Sequence, residues 1–150
     1  MKMYRLKHGR LLGLMILWMI GCTSKQIKPV EIFPEDMCSN CRMTISDQSF
    51  VSEIITQENE VFKFDDIGCM EQFQSKSSGF IVTAIFLKDY DSRKWMPFYL
   101  GFIVKTGVKT PMGSGKVAFA DSLKAIEFTV LHPVLATNTT QHSCCAQESD

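Results

Sequence analysis

The chain has 150 residues, 45% of them hydrophobic, and its 16 basic residues balance 16 acidic ones. That length suits one compact unit or two very small ones. With no net charge and no basic patch, nucleic acid is excluded as an expected partner.

Lys2, Arg5, Lys7 and Arg10 precede an apolar run, Leu11–Ile20. The run falls short of the ~20 residues that cross hydrocarbon but has the size of a signal-peptide core. Apolar residues cover every face of it, which fits an amphipathic helix poorly. The junction Met19-Ile20-Gly21-Cys22 resembles the lipobox of bacterial lipoproteins. The resemblance implies a signal peptide over 1–21, cleavage before Cys22 and lipid on its sulfur. Thr23 replaces the Asp that often marks inner-membrane retention, so the expected site is the cell envelope, on an outer-membrane anchor facing the periplasm. The mature chain would carry 12 bases against 16 acids, a formal −4.

Residues 22–35 are polar with two prolines and read as a flexible tether. Phe50–Gln57 is rich in β-branched residues and reads as a strand. Glu58-Asn59-Glu60 makes a turn, and Val61–Phe64 a second strand. Asp65 and Asp66 stand where a helix cap belongs. Ile67, Met70 and Phe73 then recur three apart along a short helix that ends at SKSSG.

The order repeats downstream. Gly79–Asp89 and Phe98–Lys105 read as strands, KTPMGSG as a turn and Lys116–Phe119 as a short strand. Asp121-Ser122 supplies a cap, and Leu123, Ile126 and Phe128 a helix face. Phe64-Asp65-Asp66 aligns with Phe119-Ala120-Asp121, and Phe73 with Phe128. The predicted fold class is α+β, two small ββα-type repeats over 36–78 and 79–134. Residues 135–150 lack hydrophobic periodicity and read as a disordered Cys/His tail.

Of six cysteines, Cys22 is assigned to lipid. The odd remainder argues against a purely structural disulfide framework. Cys38 and Cys41 form a CxxC, but it precedes a strand, whereas a thioredoxin-like centre opens a helix. Zinc usually takes two paired knuckles, and the folded region holds one. Cys69 could be a third ligand.

Cu(I) is soft and suits thiolate and thioether donors. In an extended segment, residues two apart point to one side, so Cys41 and Met43 can converge on one ion, with Cys38 joining or replacing a ligand. Met112 lies in Thr110-Pro111-Met112-Gly113-Ser114-Gly115, where the glycines allow close approach. It either folds back onto the core or presents its thioether to another site. Cys69, Met70 and His132 are secondary candidates. Cys69 serves equally as a buried thiol, Met70 suits core packing on its helix stripe, and His132 is by default a satisfied or exposed histidine. In the tail, His142, Cys144 and Cys145 could scavenge soft metal. No nucleophile–base constellation is evident, so an enzyme is not expected.

The stretches CSNCRMTISDQSFVSEI, FKFDDIGCMEQF, KTPMGSG and VAFAD, in this order behind a lipobox, resemble the NosL-type copper chaperones, accessory lipoproteins of nitrous oxide reductase. The resemblance covers most of 36–128. It implies a pair of ββα-type domains, Cu(I) as cargo, and Cys41, Met43 and Met112 as ligands with Cys38 as accessory. It also implies delivery to nitrous oxide reductase, alongside an ABC-transporter-type assembly machinery. The alternatives are a periplasmic thiol–disulfide oxidoreductase using Cys38 and Cys41, and a zinc-stabilised adaptor lipoprotein.

Overall fold

The computed structural model describes residues 26–134. The expected signal peptide, Cys22, the first residues of the expected tether and the tail with His142, Cys144 and Cys145 lie outside these. Among the described residues no helix is long and apolar enough to cross a membrane.

The architecture is α+β. Strands β1 (Ser52–Thr56) and β2 (Val61–Phe64) form a hairpin, followed by helix α1 (Ile67–Lys76). Asn59, with φ 64°, takes the left-handed turn position that asparagine tolerates. Strands β3 (Val82–Lys88) and β4 (Trp95–Pro97) come next, then a 3₁₀ turn over Phe98–Leu100. Strands β5 (Phe102–Lys105) and β6 (Lys116–Phe119) and helix α2 (Ser122–Leu131) complete the chain. One antiparallel sheet has the order β2-β1-β3-β4, and β5-β6 forms a second.

Three differences from the sequence reading have clear physical causes. First, β3 and β4 fall within the segment 79–134 assigned to the second unit, yet they extend the first sheet. In that place Ile54, Phe64 and Leu87 are buried in one core with Ile67 and Met70 of α1. The strand expected over Phe98–Lys105 is correspondingly broken at Gly101. A Cβ there would stand 3.0 Å from Met96 Cε and 3.1 Å from Leu87 Cδ1.

Second, α2 does not bury Leu123 and Ile126, which are 73% and 62% exposed. Ala125 and Phe128 face inward instead, packed with Phe50, Phe119 and Tyr90. Phe128 joins the aromatic cluster there, 5.1 Å from the Phe119 ring centroid and 4.9 Å from that of Tyr90.

Third, the tether docks before residue 36. The Val30 amide donates to the carboxylate of Glu53, and Ile32 is buried in the main core. Burial pushes the Glu53 carboxyl up, an effect the Val30 amide and Lys63 offset only in part.

The two helices begin alike. Asp66 caps α1 by accepting from the Gly68 amide, and Asp121 caps α2 by accepting from the Leu123 amide. A side-chain oxygen here satisfies a donor that the first helical turn leaves unpaired.

Candidate metal centre

Residues 37–44 form a tight loop. Met37 bridges Thr44, the Cys38 amide donates to the Met43 carbonyl at 2.8 Å, and the Arg42 amide donates to the Cys38 carbonyl at 2.9 Å. Arg42 closes the loop with φ 63°. The segment is therefore not extended between Cys41 and Met43, and the alternation argument for their shared direction fails. Cys41 is half-buried, while Met43 is 57% exposed.

Ser39 hooks this loop to the outer edge of β2. Its amide donates to the Lys63 carbonyl at 2.8 Å, and its hydroxyl accepts from the Lys63 amide at 3.2 Å. Lys63 also reaches the Asp36 carboxylate at 2.6 Å. The loop is thus pinned where β2 ends and α1 begins.

That junction supplies the remaining groups. Asp65 leaves β2, and Cys69 stands in the first turn of α1, its amide bonded to the Asp66 carbonyl at 3.0 Å. The Cys38, Cys41 and Cys69 sulfurs and a carboxylate oxygen of Asp65 all lie within 4.8 Å of one another. Cys38, Asp65 and Cys69 are buried and Cys41 half-buried. The Cys41 thiol donates weakly to Asp65, at 3.7 and 3.8 Å from its two oxygens.

The three thiols are unpaired. Burial pushes the Cys38 and Cys69 thiols up, and in neither do the nearby hydrogen bonds undo it. Protonated buried thiols become strong donors once a cation displaces their protons. The same upward shift runs against nucleophilic redox chemistry, which needs a depressed thiol pKa. The CxxC itself lies in a loop and does not open a helix as a thioredoxin-like centre does.

Met112 approaches the junction from the other half of the chain. Its amide donates to Asp66 Oδ2 at 3.1 Å, the Thr110 hydroxyl donates to the same oxygen at 2.5 Å, and the Gly68 amide reaches Oδ1 at 2.6 Å. Burial pushes Asp66 up, but hydrogen bonds from Ser114, Thr110, Gly68 and Met112 outweigh it and hold the carboxyl below its ordinary range. The turn sits so close to α1 that a Cβ on Gly68 would meet Ser114 Cβ at 2.6 Å. Met112 itself is 43% exposed.

The structure brings Cys38, Cys41 and Cys69 together and leaves the Met43 and Met112 side chains exposed. Met70 is enclosed in the main core. His132 caps the far end of α2 with its ring 4.3 Å from that of Phe128. Core packing occupies Met70, while His132 is exposed and lies against the Phe128 ring. Asp65 was missed as a donor in the sequence, although one capping carboxylate suffices and a doubled Asp leaves one spare.

The family profile described as NosL matches residues 29–133. Among solved structures, the chain is similar to the crystal structure of the copper chaperone NosL from Shewanella denitrificans. The TM-score is 0.60 at 16% identity, over 70% of this chain and 87% of that one, a likeness that shows the fold. No curated protein matches the chain.

Proposed function

The chain belongs to the NosL family, and we propose that it is a carrier of Cu(I) rather than an enzyme. The observation that carries this reading is the convergence of three thiols and one carboxylate within 4.8 Å at the β2–α1 junction. Sulfur-rich sites favour soft cations. Cys41 is the partly exposed member of the cluster, so it is the thiol that an incoming partner can reach. In our reading Cys38, Cys41 and Cys69 hold the ion, and the thioethers of Met43 and Met112 complete or exchange its shell. A partner's Met or His would replace these ligands one at a time, so that copper is never released free.

The recipient we propose is nitrous oxide reductase, with the ABC-transporter-type machinery that assembles its copper sites. We place the carrier in the cell envelope, held through lipid on Cys22 and facing the periplasm from the outer membrane. The equivalent caps at Asp66 and Asp121, and the pairs Phe64–Phe73 at 5.2 Å and Phe119–Phe128 at 5.1 Å, support an origin in two ββα-type repeats.

One observation favours a second reading. Three thiols and a carboxylate make four N/S/O-type donors, the number of a closed zinc site. Titration of the Cys22→Ser chain under reduction separates the two. The expected result is about one Cu(I) retained against a competing chelator, lost in Cys41→Ser and weakened in Met43→Leu. Unfolding on zinc removal with no Cu(I) retained would establish the zinc reading. Insulin reduction abolished by Cys38→Ser would establish thiol–disulfide exchange.

A further inference from the structure

The two ends of the four-stranded sheet have opposite surroundings. At the β2 end hangs the cysteine loop, tied through Ser39 to Lys63. At the β4 end the chain turns through Phe98–Leu100, where Tyr99 is 82% exposed and Phe98 and Leu100 are exposed beside it.

Residues 26–29 run alongside β3 and β4, and together they border an open groove of about 640 Å³. Ile27, Val82, Trp95, Phe98 and Tyr99 supply its apolar and aromatic lining. Lys28 lies on it, and Lys88 Nζ stands 4.4 Å from the Trp95 ring centre. Aromatic rings with apolar bodies and polar tips, set among amines, are the composition of surfaces that rest in lipid headgroups.

The length of chain leading to this groove says what covers it. Three residues lie between Cys22 and Gln26, and the four extended steps from one to the other reach at most about 14 Å. Lipid on Cys22 would therefore hold the groove against the bilayer surface and leave little room for free tumbling.

We propose that the β3–β4 end of the sheet, with Trp95, Phe98 and Tyr99 at its centre, is a membrane-contact face. It seats the domain on the bilayer and presents the cysteine cluster away from it. The two ends of the sheet are three strand spacings apart, roughly 14 Å. The seating fixes the orientation in which a partner meets Cys41. The inference rests on the lipidation of Cys22 in the reading above.

Trp95 tests it directly, because the other tryptophan, Trp18, precedes Cys22 and leaves with the signal peptide. The purified lipidated chain is reconstituted into phosphatidylethanolamine–phosphatidylglycerol vesicles carrying spin-labelled lipid. A face seated roughly 5–10 Å into the interface lies among the labels, so Trp95 emission should fall by about half or more. A tryptophan at the exposed position of Gln74→Trp, in a Trp95→Phe background, lies on α1 across the sheet from the groove and should stay bright. Tyr99→Asp with Phe98→Asp should restore Trp95 emission while the protein still floats with the vesicles. If the protein floats but both tryptophans are quenched alike, or neither is, the domain swings freely and the proposal fails. If the chain carries no acyl mass and does not float, the lipidation reading fails and the proposal falls with it.

Discussion

Asp66 Oδ2 accepts the backbone amide of Met112 at 3.1 Å, although the two residues lie 46 apart in sequence. The same carboxylate caps the helix that carries Cys69. One buried side chain thus sets both the start of α1 and the position of the Met112 turn. Asp66→Asn removes the charge from at least three hydrogen bonds to a buried group. We expect a loss of about 2–3 kcal/mol in the metal-free protein, read by urea denaturation. Cu(I) retention against a chelator should fall with it if Met112 contributes to the site. An unchanged denaturation midpoint would show that the turn is held by other contacts.

The same carboxylate predicts a pH response. Its pKa in the folded protein lies below the ordinary 3.8. Its stabilising share is therefore complete above 3.8 and is lost as the pH falls through the folded value. The stability gap between the wild type and Asp66→Asn should be constant at neutral pH and close under acid. A gap that widens on acidification would contradict the hydrogen-bonded carboxylate seen here.

Glu53 should behave in the opposite sense. Its pKa is raised above 4.5, chiefly by burial, so the folded state favours the proton. Its share of stability is complete below 4.5 and is lost as the pH rises through the folded value. Glu53→Gln keeps an oxygen for the Val30 amide and removes the buried charge. At pH 7 the variant should match or exceed the wild type, and the wild type should gain on it as the pH drops. Denaturation across a pH series decides the matter. A wild type that is clearly the more stable at pH 7 would mean that Lys63 fully compensates the buried carboxylate.

Local signals were legible in the sequence, and tertiary choices were not. The caps at Asp66 and Asp121 and strand β2 lie where propensity and turn chemistry place them, because each depends on a few adjacent residues. The partner of a strand is not local. β3 joins the first sheet because Leu87 completes the core beneath α1, which strand propensity alone cannot reveal. The face of α2 was misread for a similar reason. Leu123, Ile126 and Phe128 all suit an apolar stripe, and only the rings of Phe119 and Tyr90, brought from elsewhere in the chain, decide that Phe128 goes in. At the site, Cys38 and Cys41 stand out by spacing. Cys69 and Asp65 join them only because the loop folds back onto the end of β2.

Two methionines separate packing from ligation. Met70 is fully buried among the main core residues, so Met70→Ala should cost about 2–5 kcal/mol through lost transfer energy and a residual cavity. In the variant that still folds, Cu(I) retention should be near that of the wild type. Met43 is exposed, so Met43→Leu should leave stability within about 0.5 kcal/mol while weakening Cu(I) retention. Thermal unfolding of the apo forms paired with chelator competition measures both. If Met43→Leu retains copper like the wild type, the site is closed by the cysteines and Asp65 alone.

The orientation of α2 offers the last test. Leu123 and Ile126 point outward although both are strongly apolar, whereas Ala125 is buried against the β5-β6 sheet. Leu123→Lys and Ile126→Lys should each shift stability by no more than about 0.5 kcal/mol. Ala125→Leu adds volume beneath the helix, next to the ring stack of Phe119, Phe128 and Tyr90, and overpacking there should cost about 1–3 kcal/mol. This ranking is the reverse of the one that residue hydrophobicity suggests. Urea denaturation of the three variants gives it directly. A large loss in Leu123→Lys with a mild one in Ala125→Leu would mean that the helix is turned to bury the stripe that the sequence advertises.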